Sequence, residues 1–146
     1  MSVIVTGSTG FIGSLLTKKL IEDGLIVHTI SRSKKIDDCN HICCDFSKES
    51  VPKNLFTNID NGVDVVFHLA AESRIQPTLN NPILAAKSNV VGTCTILQCA
   101  REAGVKRVIY SSTSSAYGLK NKIPLVETMP NDCLNPYSVT KICGEE

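Results

Sequence analysis

The stretch Val3-Ile4-Val5-Thr6-Gly7-Ser8-Thr9-Gly10-Phe11-Ile12-Gly13 decides the fold. Its first half, with Ser2 before it, is apolar and β-branched, the signal of a buried strand. Its second half spaces Gly7, Gly10 and Gly13 as G-x-x-G-x-x-G. The pattern then becomes helical over residues 11–23. Ile12, Leu15, Leu16 and Leu20 fall on one predicted face, with Lys18, Lys19, Glu22 and Asp23 off it and Gly24 as a stop. This strand–turn–helix order gives each glycine a use. Gly7 makes the tight turn, Gly10 lets the backbone approach a pyrophosphate, and Gly13 lets helix and strand pack closely. The helix N-terminus would then offer N–H groups to the phosphates. The stretch predicts a dinucleotide-binding loop.

Outward from this unit, strands and helices alternate. Ile26 to Ser31 is a second strand and 41–45 (HICCD) a short third. A polar stretch through Pro52 leads by a predicted helix to 63–71 (VDVVFHLAA), the strongest apolar strand. A long helix is expected from Pro82 to Ala103, a fifth strand over 105–112 (VKRVIYSS), and a last helix from about Pro136. Strands apolar on both faces, separated by helices, mean a parallel sheet covered on two sides. The expected fold class is α/β, a doubly wound parallel sheet, in one domain spanning residues 1–146.

Composition narrows the function classes. The chain is 42% hydrophobic and 20% charged with a net charge of +1, which gives no general pull toward nucleic acid or membrane. No apolar run is expected to reach the ~18–20 residues that span a bilayer, and no signal peptide is read at the N-terminus. The seven cysteines form no C-x-x-C pair and share no short motif with His28, His41 or His68, so no metal site is expected. An odd number of cysteines also argues against a disulfide framework and for a cytoplasmic protein with reduced thiols.

The end of the second strand sets the cofactor expectation. An acid there would bond a ribose 2′-hydroxyl, and a base would suit a 2′-phosphate. Here Ser31 is followed by Arg32, Lys34 and Lys35. This leans toward NADP over NAD. The same cations are too few, and too free of interleaved aromatic residues, for a nucleic-acid surface.

With these features assembled, the chain resembles the extended short-chain dehydrogenase/reductase family of nucleotide-sugar epimerases and dehydratases. Six segments match its motifs in order: the TGSTGFIG loop (6–13), Asp45-Phe46, HLAA (68–71), NVVGT (89–93), SSTSSAYG (111–118) and NPYSVTK (135–141). The resemblance implies an NAD(P)-dependent epimerase of the 4-epimerase kind with a nucleotide-sugar substrate and a Rossmann fold. Dehydratases and carbonyl reductases of the same family are alternatives, as is a non-catalytic dinucleotide-binding module. Ser114 and Ser115 stand where dehydratases carry an acid pair, which argues against dehydration.

The resemblance also implies the site. The catalytic residues would be Thr113, Tyr137 and Lys141, with Ser112 and Ser114 flanking Thr113 as alternative registers. The cofactor would lie against Gly7, Gly10, Phe11, Ile12, Gly13, Ser31, Arg32, Asp45, Phe46, Leu69, Ala70, Ala71, Asn89 and Ser111, as well as Tyr137 and Lys141. Residues i and i+4 of a helix share a face, so Tyr137 and Lys141 would project together. A phenol titrates near pH ~10 and is a poor base at neutrality; a neighbouring ammonium lowers that barrier. His68 is expected to be structural. Glu72, Ser73 and Arg74 are read as loop residues able to face substrate.

The sequence ends five residues after Lys141. Members of this family continue into a further strand and a C-terminal substrate domain. The expectation is an incomplete Rossmann sheet with the substrate domain missing, an exposed fifth-strand edge, little turnover, and a shortened second helix in the family's homodimer interface.

Overall fold

The computed structural model describes residues 1–32, 39–48, 51–52, 54–60 and 62–146. Five strands form one parallel sheet in the order β3-β2-β1-β4-β5. They are β1 (Ser2–Thr6), β2 (Ile26–Ser31), β3 (Asn40–Cys43), β4 (Val65–His68) and β5 (Arg107–Tyr110). The order reverses direction between β1 and β4, so a crevice opens at the carboxyl ends of these two strands, where such sheets bind ligands. All five lie within or adjoin the sequence-predicted runs.

The core lies on both faces of β1. One cluster joins Ile4, Ile30, Phe56, Val66 and Ile96, all fully buried. The other joins Val3, Val5 and Val27 beneath the first helix. Strand β5 pairs only with β4 and is an edge, with Ile109 exposed.

Helix α1 (Phe11–Glu22) buries a face turned from the one expected, keeping half-buried Leu16 and Leu20 but not Ile12 or Leu15. Gly13 and Thr17 are its buried residues, with Leu20 and Ile21 packed partly against the sheet. Ile12 and Leu15 remain exposed. The cause is close approach. A Cβ on Gly13 would collide with the carbonyl oxygen of Gly7, so the helix sits too near β1 for large side chains there. The helix predicted before β4 is a series of turns among the described residues.

A short helix, α2 (Ile75–Asn80), precedes the long one and was not read from the sequence. The long helix is continuous over Pro82–Glu102 but changes winding. It runs as α3 (Pro82–Ala86), a π-helical turn (Lys87–Val91) and α4 (Gly92–Glu102). It is also long and apolar enough to cross a membrane by length and composition, contrary to expectation, although a core helix passes the same test. Its Ile96, Cys99 and Ala100 are in fact packed into the core of the sheet. The last helix, α5 (Pro136–Ile142), opens with Asn135 as its cap. Asn135 Oδ1 accepts from the Ser138 amide, and the Ser138 hydroxyl lies reciprocally at the Asn135 amide.

Candidate active site

The crevice at the ends of β1 and β4 is a cleft of about 460 Å³. The glycine loop forms one wall: Gly7, Gly10, Phe11, Ile12 and Gly13 all line it. Ser31 and Arg32 close one end. Leu69, Ala70 and Ala71, from the end of β4, and Ser111, Tyr137 and Lys141 line it as well. Asp45 and Phe46 line a small recess that continues the cleft past Arg32. Most of the residues expected at a cofactor site therefore meet in one place. Lys34 and Lys35 lie outside the described residues.

The cleft fits a dinucleotide for three reasons. Gly7 has φ +69°, and a Cβ there would stand 2.8 Å from the Ala70 nitrogen. The loop is thus an open backbone cradle that side chains would fill. Helix α1 begins at this cradle with no acid in its first turn to oppose a phosphate. The Asp45 carboxyl, which burial would push up, is held below its ordinary range by the hydroxyl and amide of Ser47 and by Arg32, so it stays an acceptor.

Two expected residues are placed elsewhere. Asn89 is 1% exposed and its side chain is committed within the protein. Its Oδ1 accepts from the Glu72 amide at 2.7 Å. Its Nδ2 donates to the Glu72 carbonyl at 3.1 Å and to the Thr140 hydroxyl at 3.0 Å. Asn89 therefore ties the loop after β4 to the Tyr137–Lys141 helix rather than lining the cleft. The π-helical turn holds it at this position, as such turns often do at functional sites. Thr113 caps a short 3₁₀ turn by accepting from the Ser115 amide, and lines a second recess with Tyr117 and Glu127. Ser112 lines both recess and cleft.

His68 is a buried post. The Thr93 hydroxyl donates to the Asn89 carbonyl at 2.6 Å, so it accepts from His68 Nε2 at 3.0 Å. His68 Nδ1 is then an acceptor for the Thr6 hydroxyl at 2.7 Å. Thr6 in turn accepts from the amides of Leu69 and Ala70. Burial, with a smaller push from Lys141, lowers the imidazole to about 4. The ring is neutral at physiological pH, in one tautomer, and locks the ends of β1 and β4 to α4.

Lys141 is 2% exposed, and burial lowers its pKa to about 8 despite the opposing charge of Glu145. Its ammonium lies over the Tyr110 ring. Tyr110 is the supporting residue that sequence reasoning missed, and no spacing could have shown it.

A model of the NAD dependent epimerase/dehydratase family matches residues 3–146. The chain belongs to this family. UDP-glucose 4-epimerase of Halalkalibacterium halodurans is 32% identical across 100% of this chain and 45% of its own length. A crystal structure of UDP-glucose 4-epimerase from Thermotoga maritima, with UDP-glucose, superposes with a TM-score of 0.90 at 32% identity. It is matched over 99% of this chain and 49% of that one. MoeE5 in complex with UDP-glucose and NAD gives 0.87 at 33% identity, over 99% and 47%. The chain thus spans about half the length of the relatives it matches.

Family membership gives the NVVGT segment a physical account in this chain. Asn89 ties two walls together. Gly92 packs beside Phe46, and a Cβ at that position would meet the Phe46 Cβ at 3.5 Å, an ordinary contact. Thr93 orients His68.

Proposed function

We propose that the chain is the cofactor-binding and acid/base half of an NAD(P)-dependent nucleotide-sugar 4-epimerase. The observation that carries this reading is that Tyr137 and Lys141 share one cleft with the glycine cradle. NAD bound there would take a hydride from a sugar carbon and return it. Tyr137 would accept the hydroxyl proton as the hydride leaves and give it back on return. Lys141 would supply positive charge beside that phenol and bond the nicotinamide ribose. The hydroxyl that bonds the same substrate oxygen would be that of Thr113 or, in the register one residue earlier, that of Ser112, which lines the cleft where Thr113 does not.

The names of the relatives support UDP-sugars as the substrate class. Free thiols at Cys43, Cys44, Cys94, Cys99, Cys133 and Cys143 suit a cytoplasmic setting. A homodimer through the long helix and α5 is supported by exposed Val91, Leu97 and Val139. A non-catalytic dinucleotide-binding module is the second reading, favoured by the position of Thr113 outside the cleft that Tyr137 and Lys141 line.

Titration with NADH, read by nicotinamide fluorescence, tests the proposal. Saturable enhancement is expected, kept in Tyr137→Phe and weakened in Lys141→Met. No enhancement at millimolar NADH would sink it.

A further inference from the structure

We infer that Glu72, not a residue at the end of β2, sets the choice between NAD and NADP, by holding Arg32 away from a 2′-phosphate. The inference rests on the cofactor reading above and sharpens it.

Among the described residues at the end of β2, Arg32 is the cation that would suit a 2′-phosphate, yet its Nη1 lies 2.9 Å from Glu72 Oε1. The pair stands where the cleft passes into the recess of Asp45 and Phe46. Arg32 is half exposed, at 57%, while the Glu72 side chain is only 23% exposed. The carboxylate is therefore the more buried partner and the guanidinium the more exposed one. The main chain of Glu72 is clamped on both its amide and its carbonyl by buried Asn89. Glu72 is thus a pre-set feature of the wall rather than loose loop surface.

The charge balance follows. Among the described residues that line this recess, Glu72 and Asp45 are the carboxylates and Arg32 the cation, with Lys48 acting on Asp45 from outside the lining. A ribose diol is neutral and can donate to a carboxylate. A 2′-phosphate would bring further negative charge, meet Glu72 and Asp45 at close range, and have to win Arg32 from its partner. Arg32 by itself leans toward NADP; Arg32 paired with Glu72 leans toward NAD.

Calorimetric titration of the chain with NAD and with NADP tests this. Wild type should bind NAD the more tightly. Glu72→Gln keeps the shape, removes the charge and frees Arg32. NADP binding should tighten about tenfold or more, with NAD affinity changed less than about threefold. Adding Arg32→Ala to Glu72→Gln should abolish the gain, which a general loosening of the loop would not do. Preference of the wild type for NADP, or a NADP-to-NAD ratio unmoved by Glu72→Gln, would overturn the inference alone. Binding of neither dinucleotide by the wild type would overturn the cofactor reading and this inference together.

Discussion

The Lys141 ammonium lies 4.0 Å from the centre of the Tyr110 ring, and the Tyr110 hydroxyl donates to the Lys141 carbonyl at 3.1 Å. One aromatic residue at the end of β5 thus supports both the charge and the backbone of the residue that ends the cleft. Without that ring, burial would weigh further against the ammonium. Tyr110→Leu is expected to lower the Lys141 pKa below its value of about 8, while Tyr110→Phe, which keeps the ring, should change it little. Nitrogen-15 NMR titration of lysine side chains reads both.

Lys141 itself should oppose stability at neutral pH. Its folded pKa lies below the ordinary 10.5, so folding favours the neutral amine. Below about 8 both states are protonated and the full penalty is present. Between about 8 and 10.5 the unfolded chain holds the extra proton, so this group adds stability as pH rises. Lys141→Met should raise stability at pH ~7 by about 1–3 kcal/mol, with part of the gain offset by the lost ring contact. Urea unfolding across this pH range measures it.

His68 acts with the same sign at lower pH. Its folded pKa of about 4 lies below the ordinary 6.5. As pH falls from 6.5 toward 4 the unfolded chain gains a proton that the folded chain refuses, and stability is lost. His68→Gln should flatten this loss in acid unfolding curves, at a lower starting stability.

Asn89→Ala removes three hydrogen bonds and takes the side-chain partner from both the amide and the carbonyl of Glu72, while the Thr140 hydroxyl keeps its bond to the Tyr137 carbonyl. A destabilisation of about 2–4 kcal/mol is expected in denaturant unfolding. Asn89→Asp should recover little, because it keeps the acceptor for the Glu72 amide but loses both donors.

The strands were legible because β-branched runs such as SVIVT have one common use, a strand buried on both faces. The face of α1 was not. Hydrophobic spacing selected Ile12 and Leu15, but contact with β1 is made by Gly13 and Thr17, whose value is small size. Helix α2 was hidden by Pro77, which reads as a breaker but sits in the first turn, where no amide partner is needed. The cleft-lining glycines, Tyr137 and Lys141 were legible from motif order. The bonds of Asn89 to Glu72 and Thr140 were not legible from its motif, since a π-helical turn has no signature in spacing. The Arg32–Glu72 pair joins residues far apart in sequence, so Arg32 alone gave only the cation.

Amide chemical-shift mapping of the 146-residue chain during titration with NAD puts the cofactor cleft to the test. Saturable shifts are expected at Gly7, Gly10, Ile12, Ala70 and Lys141 together, since these residues line one space. Shifts that do not saturate, or that cluster away from the glycine loop and α5, would contradict the assignment of this cleft as a dinucleotide site.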